Sequence, residues 1–182
     1  GHPLALRLWS PDEAVPEEGV AVQEYVQSTV LARLSEDGIG TLGELSLSPV
    51  PLMVSELEDD SGTAELDDSA VLRWADTLVE PHRLIRNVHR AALSDDATRE
   101  VHSRSAELWA SREGARARRI EAHHRLNSGS ETDAKCLTES LAIIARADSA
   151  AAAVIIEEAV ERSDDASLRL LSLIHHSEPT TT

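Results

Sequence analysis

The second half of the chain alternates apolar helical stripes with evenly spaced cap-type residues, and this pattern restricts the fold more than any other feature. Ser94, Ser130 and Ser163 each precede such a stripe and are predicted to be helix N-caps. The first two lie thirty-six residues apart and the last two thirty-three. An interval of this length fits two helices and a turn, so the pattern predicts stacked helical hairpins.

Within this region the turn signals divide each interval into two helices. Gly114 separates the first pair, Asn127-Ser128-Gly129 ends the second helix, and Asp148 is predicted to open the fourth. A period near 34 residues is typical of tetratricopeptide (TPR) repeats. The sequence therefore predicts TPR-like α-hairpin repeats over residues 94–170, with Trp109 in the core.

The first half mixes shorter segments. Apolar spacing predicts a helix over 22–34, which Gly38 and Gly40 would end, and a second short helix over 42–47. Pro51 is expected to open a third helix over 52–57.

Two short apolar runs, 71–74 and 77–79, flank Ala75-Asp76 and predict a β-hairpin. Pro81 is then expected to start a helix in its first turn, where the missing N–H has no cost. Three helices, a hairpin and a further helix outline a winged helix over 21–93. The predicted fold class is therefore mainly α: a winged-helix domain with a small β-hairpin, then TPR-like α-hairpin repeats. Trp74, in the first strand, is expected to pack in the core.

Charge sets limits on the partners. The chain has 33 Asp and Glu against 17 Lys and Arg, a formal net charge of −16, and Lys135 is the only lysine. Such a charge opposes binding to nucleic acid and anionic membranes. The acidic, arginine-based balance resembles proteins of salt-loving archaea, where salt screens self-repulsion. An acidic surface encoded by a GC-rich genome is the other explanation.

Several classes of protein are excluded by absent patterns. No run of about 18 apolar residues could span a membrane, and no secretory signal is present. A lone Cys136 excludes a disulfide scaffold and cysteine-based zinc sites. These absences predict a cytoplasmic protein.

Motifs for catalysis are also absent. The chain has no Gly-Lys-Ser/Thr phosphate loop, no dinucleotide glycine pattern and no Gly-x-Ser-x-Gly elbow. His82 and His89 are seven residues apart, while His123 and His124 are adjacent and expected to diverge, so no metal site is predicted. We expect this chain not to be an enzyme on its own.

Two short motifs carry a family resemblance. Gly1-His2-Pro3-Leu4-Ala5-Leu6 resembles the Gly-x-Pro motif of the STAND signal-transduction ATPases, which include NB-ARC proteins and large ATP-dependent transcription regulators. Glu80-Pro81-His82-Arg83-Leu84-Ile85-Arg86 resembles the Met-His-Asp motif in their winged helix. The order also agrees: Gly-x-Pro, winged helix, helical arm.

The resemblance implies a nucleotide-dependent switch. An upstream P-loop module would bind ADP. Pro3 would pack near its adenine, and His82 would contact its β-phosphate. ADP or ATP is thus expected only together with that module. Protein partners are expected on the helical arm. This sequence departs from the family where Arg83 replaces the Asp and Pro81 replaces the Met.

The residues themselves support anion binding at His82. A position in the first turn of a helix offers free N–H groups and a favourable dipole. Arg83 and Arg86 add positive charge nearby. Another basic cluster, Arg116, Arg118 and Arg119, is instead expected to pair with Glu113 and Glu121.

Two other functions stay open. One is a DNA-binding winged-helix regulator, and the other is a helical-repeat scaffold with no nucleotide link. The predicted third helix, 52–57, has no Lys or Arg, which disfavours DNA. Residues 1–20 are expected to end the nucleotide module and form a linker. Residues 171–182 are expected to be a disordered tail or a translated sequencing adapter.

Overall fold

The computed structural model describes residues 20–129 and 134–162. Pro3, the predicted caps Ser130 and Ser163, and the tail 171–182 lie outside these residues. The described chain is mainly helical with a small antiparallel sheet. It divides into two compact units, one ending at Asp95 and the other beginning at Asp96.

The first unit contains four helices and three short strands. In chain order these are α1 (Val20–Tyr25, continued by a π turn, Val26–Val30, and a 3-10 turn, Leu31–Arg33), α2 (Glu36–Leu47), β1 (Leu52–Met53), a 3-10 turn (Val54–Glu56), α3 (Thr63–Asp68), β2 (Leu72–Ala75), β3 (Leu78–Pro81) and α4 (Arg83–Ala92). The helix predicted over 22–34 is confirmed within two residues of its bounds.

The sheet has the order β1-β3-β2, with all pairs antiparallel. The predicted hairpin is confirmed, although its turn lies one residue later, at Asp76-Thr77, and Asp76 adopts a positive φ of 55°. The helix predicted over 52–57 is wrong. Leu52 pairs with Val79 in the sheet and is buried, so a tertiary partner outweighs the local tendency to form a helix.

Gly38 and Gly40 were expected to end α1, but both lie inside α2. Ser35 marks the helix start, because its Oγ accepts a hydrogen bond from Gly38 N at 3.1 Å. The loop before α3 packs directly on this helix. A Cβ on Gly62 would lie only 2.7 Å from Gly38 Cα, so these two glycines permit a close backbone approach.

The core of the first unit joins the helices to one face of the sheet. Its fully buried members include Leu42 and Leu45 from α2, Leu66 from α3, Val79 from β3 and Ile85 from α4. Burial of aliphatic side chains of this size contributes about 1.5–3 kcal/mol each. The core thus fixes the hairpin and α4 against α2.

The second unit consists of helices α5 (Asp95–Ala110), α6 (Ala115–Asn127), α7 (Ala134–Ala147) and α8 (Ser149–Arg162). The predicted break at Gly114 is confirmed, and this residue has a φ of 96°. Asp148 opens α8 as predicted, since its Oδ1 accepts a hydrogen bond from Ala151 N at 2.9 Å. Helices α6, α7 and α8 contact one another.

Trp109 is buried in this unit, as predicted, and Arg112 lies over its ring with 4.3 Å between Cζ and the ring centroid. The matching prediction for Trp74 is wrong. Trp74 is 44% exposed, and its indole Nε1 donates to Asp67 Oδ1 at 2.7 Å. Among the described residues, no helix has the length and apolar character needed to cross a membrane.

Candidate anion-binding pocket

The junction of the hairpin with α4 forms a pocket of about 500 Å³. Its charged and titratable lining residues are Arg73, Glu80, His82, Arg83, Arg86 and Arg90. Four arginines and one carboxylate therefore line the pocket. In a chain with a net charge of −16, this local excess of positive charge attracts anions.

His82 lies at the start of α4, but not where the sequence predicted. Pro81 is the last residue of β3, paired with Leu72, and does not start the helix. The sheet register accepts it there because a strand end tolerates a residue without an N–H. His82 is consequently the N-cap rather than a first-turn residue.

The backbone holds His82 firmly in this position. Its N–H donates to Val71 O at 2.9 Å, and its carbonyl accepts from Arg86 N at 2.9 Å. Its side chain makes no cap hydrogen bond. The first N–H groups of α4 have no acceptor within the helix, so they are suited to an anion beside the imidazole.

Glu80 joins two of the arginines. It lies directly opposite Arg73 in the β2–β3 register, and its Oε1 accepts from the Arg73 guanidinium. Its Oε2 accepts from Arg86 Nη2 at 3.1 Å. The Glu80 side chain is 17% exposed and that of Arg73 is 65% exposed. The carboxylate thus ties the hairpin to the first turn of α4.

The remaining arginines differ in how they are held. Arg90 Nε donates to Ser46 O at 2.6 Å, which fixes α4 to α2. Arg86 Nε is buried and has no hydrogen-bond partner among the described residues. Charge-assisted N–H donors of this kind bind oxyanions well, so the pocket is suited to a phosphate group.

A second titratable cluster lies inside the second unit. His102 Nδ1 and His124 Nδ1 are 2.8 Å apart, so one ring donates to the other. His123 Nδ1 lies 2.8 Å from Glu158 Oε2. Burial, and then the nearby His123 and His102, lower the pKa of His124 to about 2.

This cluster corrects one expectation and shows what the sequence hid. His123 and His124 do not simply diverge: their ring centroids lie 5.6 and 4.9 Å from that of His102 on α5. His102 is about twenty residues away in sequence, and no local spacing indicates the contact. Within residues 20–129 and 134–162, no group of three His, Cys, Asp or Glu side chains is arranged to hold a metal ion.

The predicted pairing of Arg116, Arg118 and Arg119 with Glu113 and Glu121 is confirmed in part. Arg118 Nη1 lies 2.6 Å from Glu121 Oε2, and Arg125 Nε lies 2.9 Å from the other oxygen of the same buried carboxylate. Arg125 was not among the expected partners. Its i,i+4 spacing from Glu121 is the signal that would have identified it.

Of the predicted site residues, the structure brings together His82, Arg83 and Arg86, whereas Pro3 lies outside the described residues. Sequence reasoning missed Arg73 and Arg90. Arg90 could have been found, because it follows Arg86 by one helical turn. Comparisons with protein families, curated proteins and solved structures give no match to this chain.

Proposed function

We propose that this chain is the regulatory part of a STAND-type ATPase, in which His82 and the arginine pocket contact the phosphates of a nucleotide bound by a P-loop module elsewhere in the protein. One observation carries this proposal: His82 caps α4 inside a pocket lined by four arginines. Oxyanion recognition explains that arrangement, since imidazole, guanidinium and helix N–H groups all donate hydrogen bonds.

The order of elements supports a winged-helix assignment for the first unit. Helices α1, α2 and α3 precede the β2–β3 hairpin, and α4 follows it. The predicted order was also three helices, a hairpin and a helix, but its third helix was placed at 52–57 and not at 63–68. In the proposed role, the hairpin and α4 move together, because Glu80 and the shared core connect them.

The switch follows from charge. With ADP present, its terminal phosphate would hold the pocket against the nucleotide module. Loss of that contact on nucleotide exchange would release the first unit, a transition in which two domain arrangements differ by a local electrostatic contact. The helical second unit would pass this change to protein partners.

The second unit supports an interaction role through its two helical pairs, α5–α6 and α7–α8. A helix, a turn and a second helix make up the repeating unit of TPR proteins. We therefore propose a TPR-like arm.

DNA binding is the competing function, and the structure changes the argument about it. Since 52–57 is not a helix, the helix that precedes the hairpin is α3, Thr63–Asp68. It contains Glu65, Asp67 and Asp68 and no basic residue. A recognition helix of this composition would repel the phosphate backbone.

The proposal is tested by replacing His82 with Asn in the full-length protein that contains the P-loop module. Asn keeps a good N-cap but removes the imidazole, so an effect on helix stability is separated from the phosphate contact. We expect ADP affinity, measured by isothermal titration, to fall by about tenfold, in line with one charge-assisted hydrogen bond. Unchanged ADP affinity would refute the role of His82.

A further inference from the structure

Glu80 occupies the arginine pocket in the way that a bound phosphate would. Resting on the proposed phosphate contact, we propose that Glu80 is an internal competitor: it neutralises Arg73 and Arg86 until a phosphate displaces it. The site would thus select ligands of higher charge, such as the diphosphate of a nucleoside diphosphate, over single carboxylates.

The geometry of the carboxylate is the first support. Each of its two oxygens accepts from a different arginine, one from β2 and one from α4. A phosphate group has one oxygen more and a larger charge. It can therefore replace both contacts of Glu80 and still accept from the N–H groups that start α4.

Donors that Glu80 leaves unused are the second support. Arg86 Nε is buried with no hydrogen-bond partner among the described residues. Arg83 lines the same pocket, and the ion pairs of Glu80 found within the described residues are with Arg73 and Arg86. A buried donor without a partner costs about 1–3 kcal/mol, so an anion that reaches it recovers this energy.

Displacement has a structural consequence. Glu80 is the link between Arg73 on the hairpin and Arg86 on α4. Once a phosphate takes its place, the ionic link between Arg73 on β2 and Arg86 on α4 runs through the ligand, while the chain still joins β3 to α4 through His82. Filling the pocket then changes what connects the two arginines.

The experiment uses the 182-residue chain and titrates inorganic pyrophosphate, which tests the pocket without the nucleotide module. Glu80→Gln removes the competing charge and keeps the size of the side chain. Glu24→Gln is the matched control, because Glu24 is exposed in α1 and does not line the pocket. We expect Glu80→Gln to bind pyrophosphate about tenfold more tightly than the unmodified chain, and Glu24→Gln to bind it equally.

Two further variants keep the test decisive. Glu80→Asp has a carboxylate too short to reach both arginines, so it should tighten binding about threefold even if Glu80→Gln disturbs the hairpin. Arg83→Gln should weaken binding several-fold without touching the Glu80 contacts. Circular dichroism establishes that each variant is folded.

The outcomes separate the two proposals. If the unmodified chain binds pyrophosphate but Glu80→Gln binds it equally or less tightly, the competitor role is overturned and the phosphate site remains. If neither binds, both proposals fail. If Glu80→Gln binds more tightly while His82→Asn leaves ADP affinity unchanged, the competitor role is supported and the proposed role of His82 fails.

Discussion

The two units differ in the partners found for their buried and half-buried carboxylates. In the first unit three of these side chains accept hydrogen bonds from backbone amides, namely Glu44 from Glu58 N, Glu56 from Met53 N and Glu65 from Ser35 N, and Glu65 also accepts one from the Ser35 hydroxyl. In the second unit they contact charged or titratable side chains: Glu121 binds Arg118 and Arg125, and Glu158 contacts His123. Glu80 departs from the pattern of its own unit, and it is the carboxylate in the pocket.

The difference shows two ways in which an acidic chain can provide partners for its carboxylates. Backbone amides keep the same charge across the pH range, so carboxylates that bind them hold loops for as long as the carboxylate is ionised. Side-chain partners respond to pH and ionic strength. A carboxylate that pairs with arginines inside the first unit therefore stands out as one that can exchange partners.

Acid should distinguish the units most strongly. The neutral form of His124 is favoured by folding, whereas the unfolded chain takes up a proton near pH 6.5. Stability of the second unit should therefore fall as the pH drops below about 6.5, by on the order of 1 kcal/mol per pH unit. Urea unfolding followed by segment-resolved hydrogen exchange measures this slope.

The first unit provides the control for this acid effect. Burial alone lowers the pKa of His89 in the first unit, so acid acts there in the same direction but without the added repulsion from neighbouring histidines that acts on His124. His124→Gln should flatten the pH dependence of the second unit and leave that of the first unchanged. If the unfolding free energies of both unmutated units depended on pH equally, the proposed difference between the units would be wrong.

Glycine substitutions come next in size. Gly62→Ala places a Cβ 2.7 Å from Gly38 Cα, where backbone cannot yield, and should destabilise the first unit by about 1–3 kcal/mol. Gly114→Ala meets no atom within 4 Å, but its φ of 96° should cost the second unit about 1–2 kcal/mol. Thermal unfolding measures both.

Gly40→Ala is the matched variant for these substitutions. Gly40 lies inside α2, and a Cβ at this position would have no other atom within 4 Å. Alanine there should stabilise the first unit by about 0.5–1 kcal/mol, because alanine has the higher helix propensity. A loss of stability would show that α2 is not an ordinary helix at this position.

Neutral carboxylate variants should give the smallest effects. Glu44→Gln and Glu121→Gln should each destabilise by about 1–2 kcal/mol, since each leaves its donors with a weaker acceptor. The loss for Glu121→Gln should shrink in 1 M NaCl, because salt screens the pairs of this carboxylate with Arg118 and Arg125.

The sequence predicted the second unit better than the first, for physical reasons. Its helices are long enough for apolar spacing to be visible, and Gly114 and Asp148 mark their ends. In the first unit, β1 has two residues, too few for any period. Gly38 and Gly40 looked like helix ends because glycine often follows the last turn of a helix, and the close approach of Gly62 to Gly38 is invisible in the local sequence.

The sequence predicted only part of the candidate site. His82, Arg83 and Arg86 are close in sequence, so a motif could place them together. The contact of Glu80 with Arg73 depends on strand register, and that of Arg90 with Ser46 depends on helix packing. Likewise His102 and His124 meet only through the packing of α5 and α6.

The exposed Trp74 gives the pocket an optical readout. It follows Arg73 in β2, so the two side chains point to opposite faces of the hairpin. Its indole donates to Asp67 on α3, a hydrogen bond that a movement of the hairpin would stretch. Because indole fluorescence responds to nearby charge and water, emission from Trp74 would shift when an anion takes the place of Glu80. The hairpin thus carries one of the three tryptophans of the chain, and a change in tryptophan emission during a titration would report occupancy of the pocket without a label.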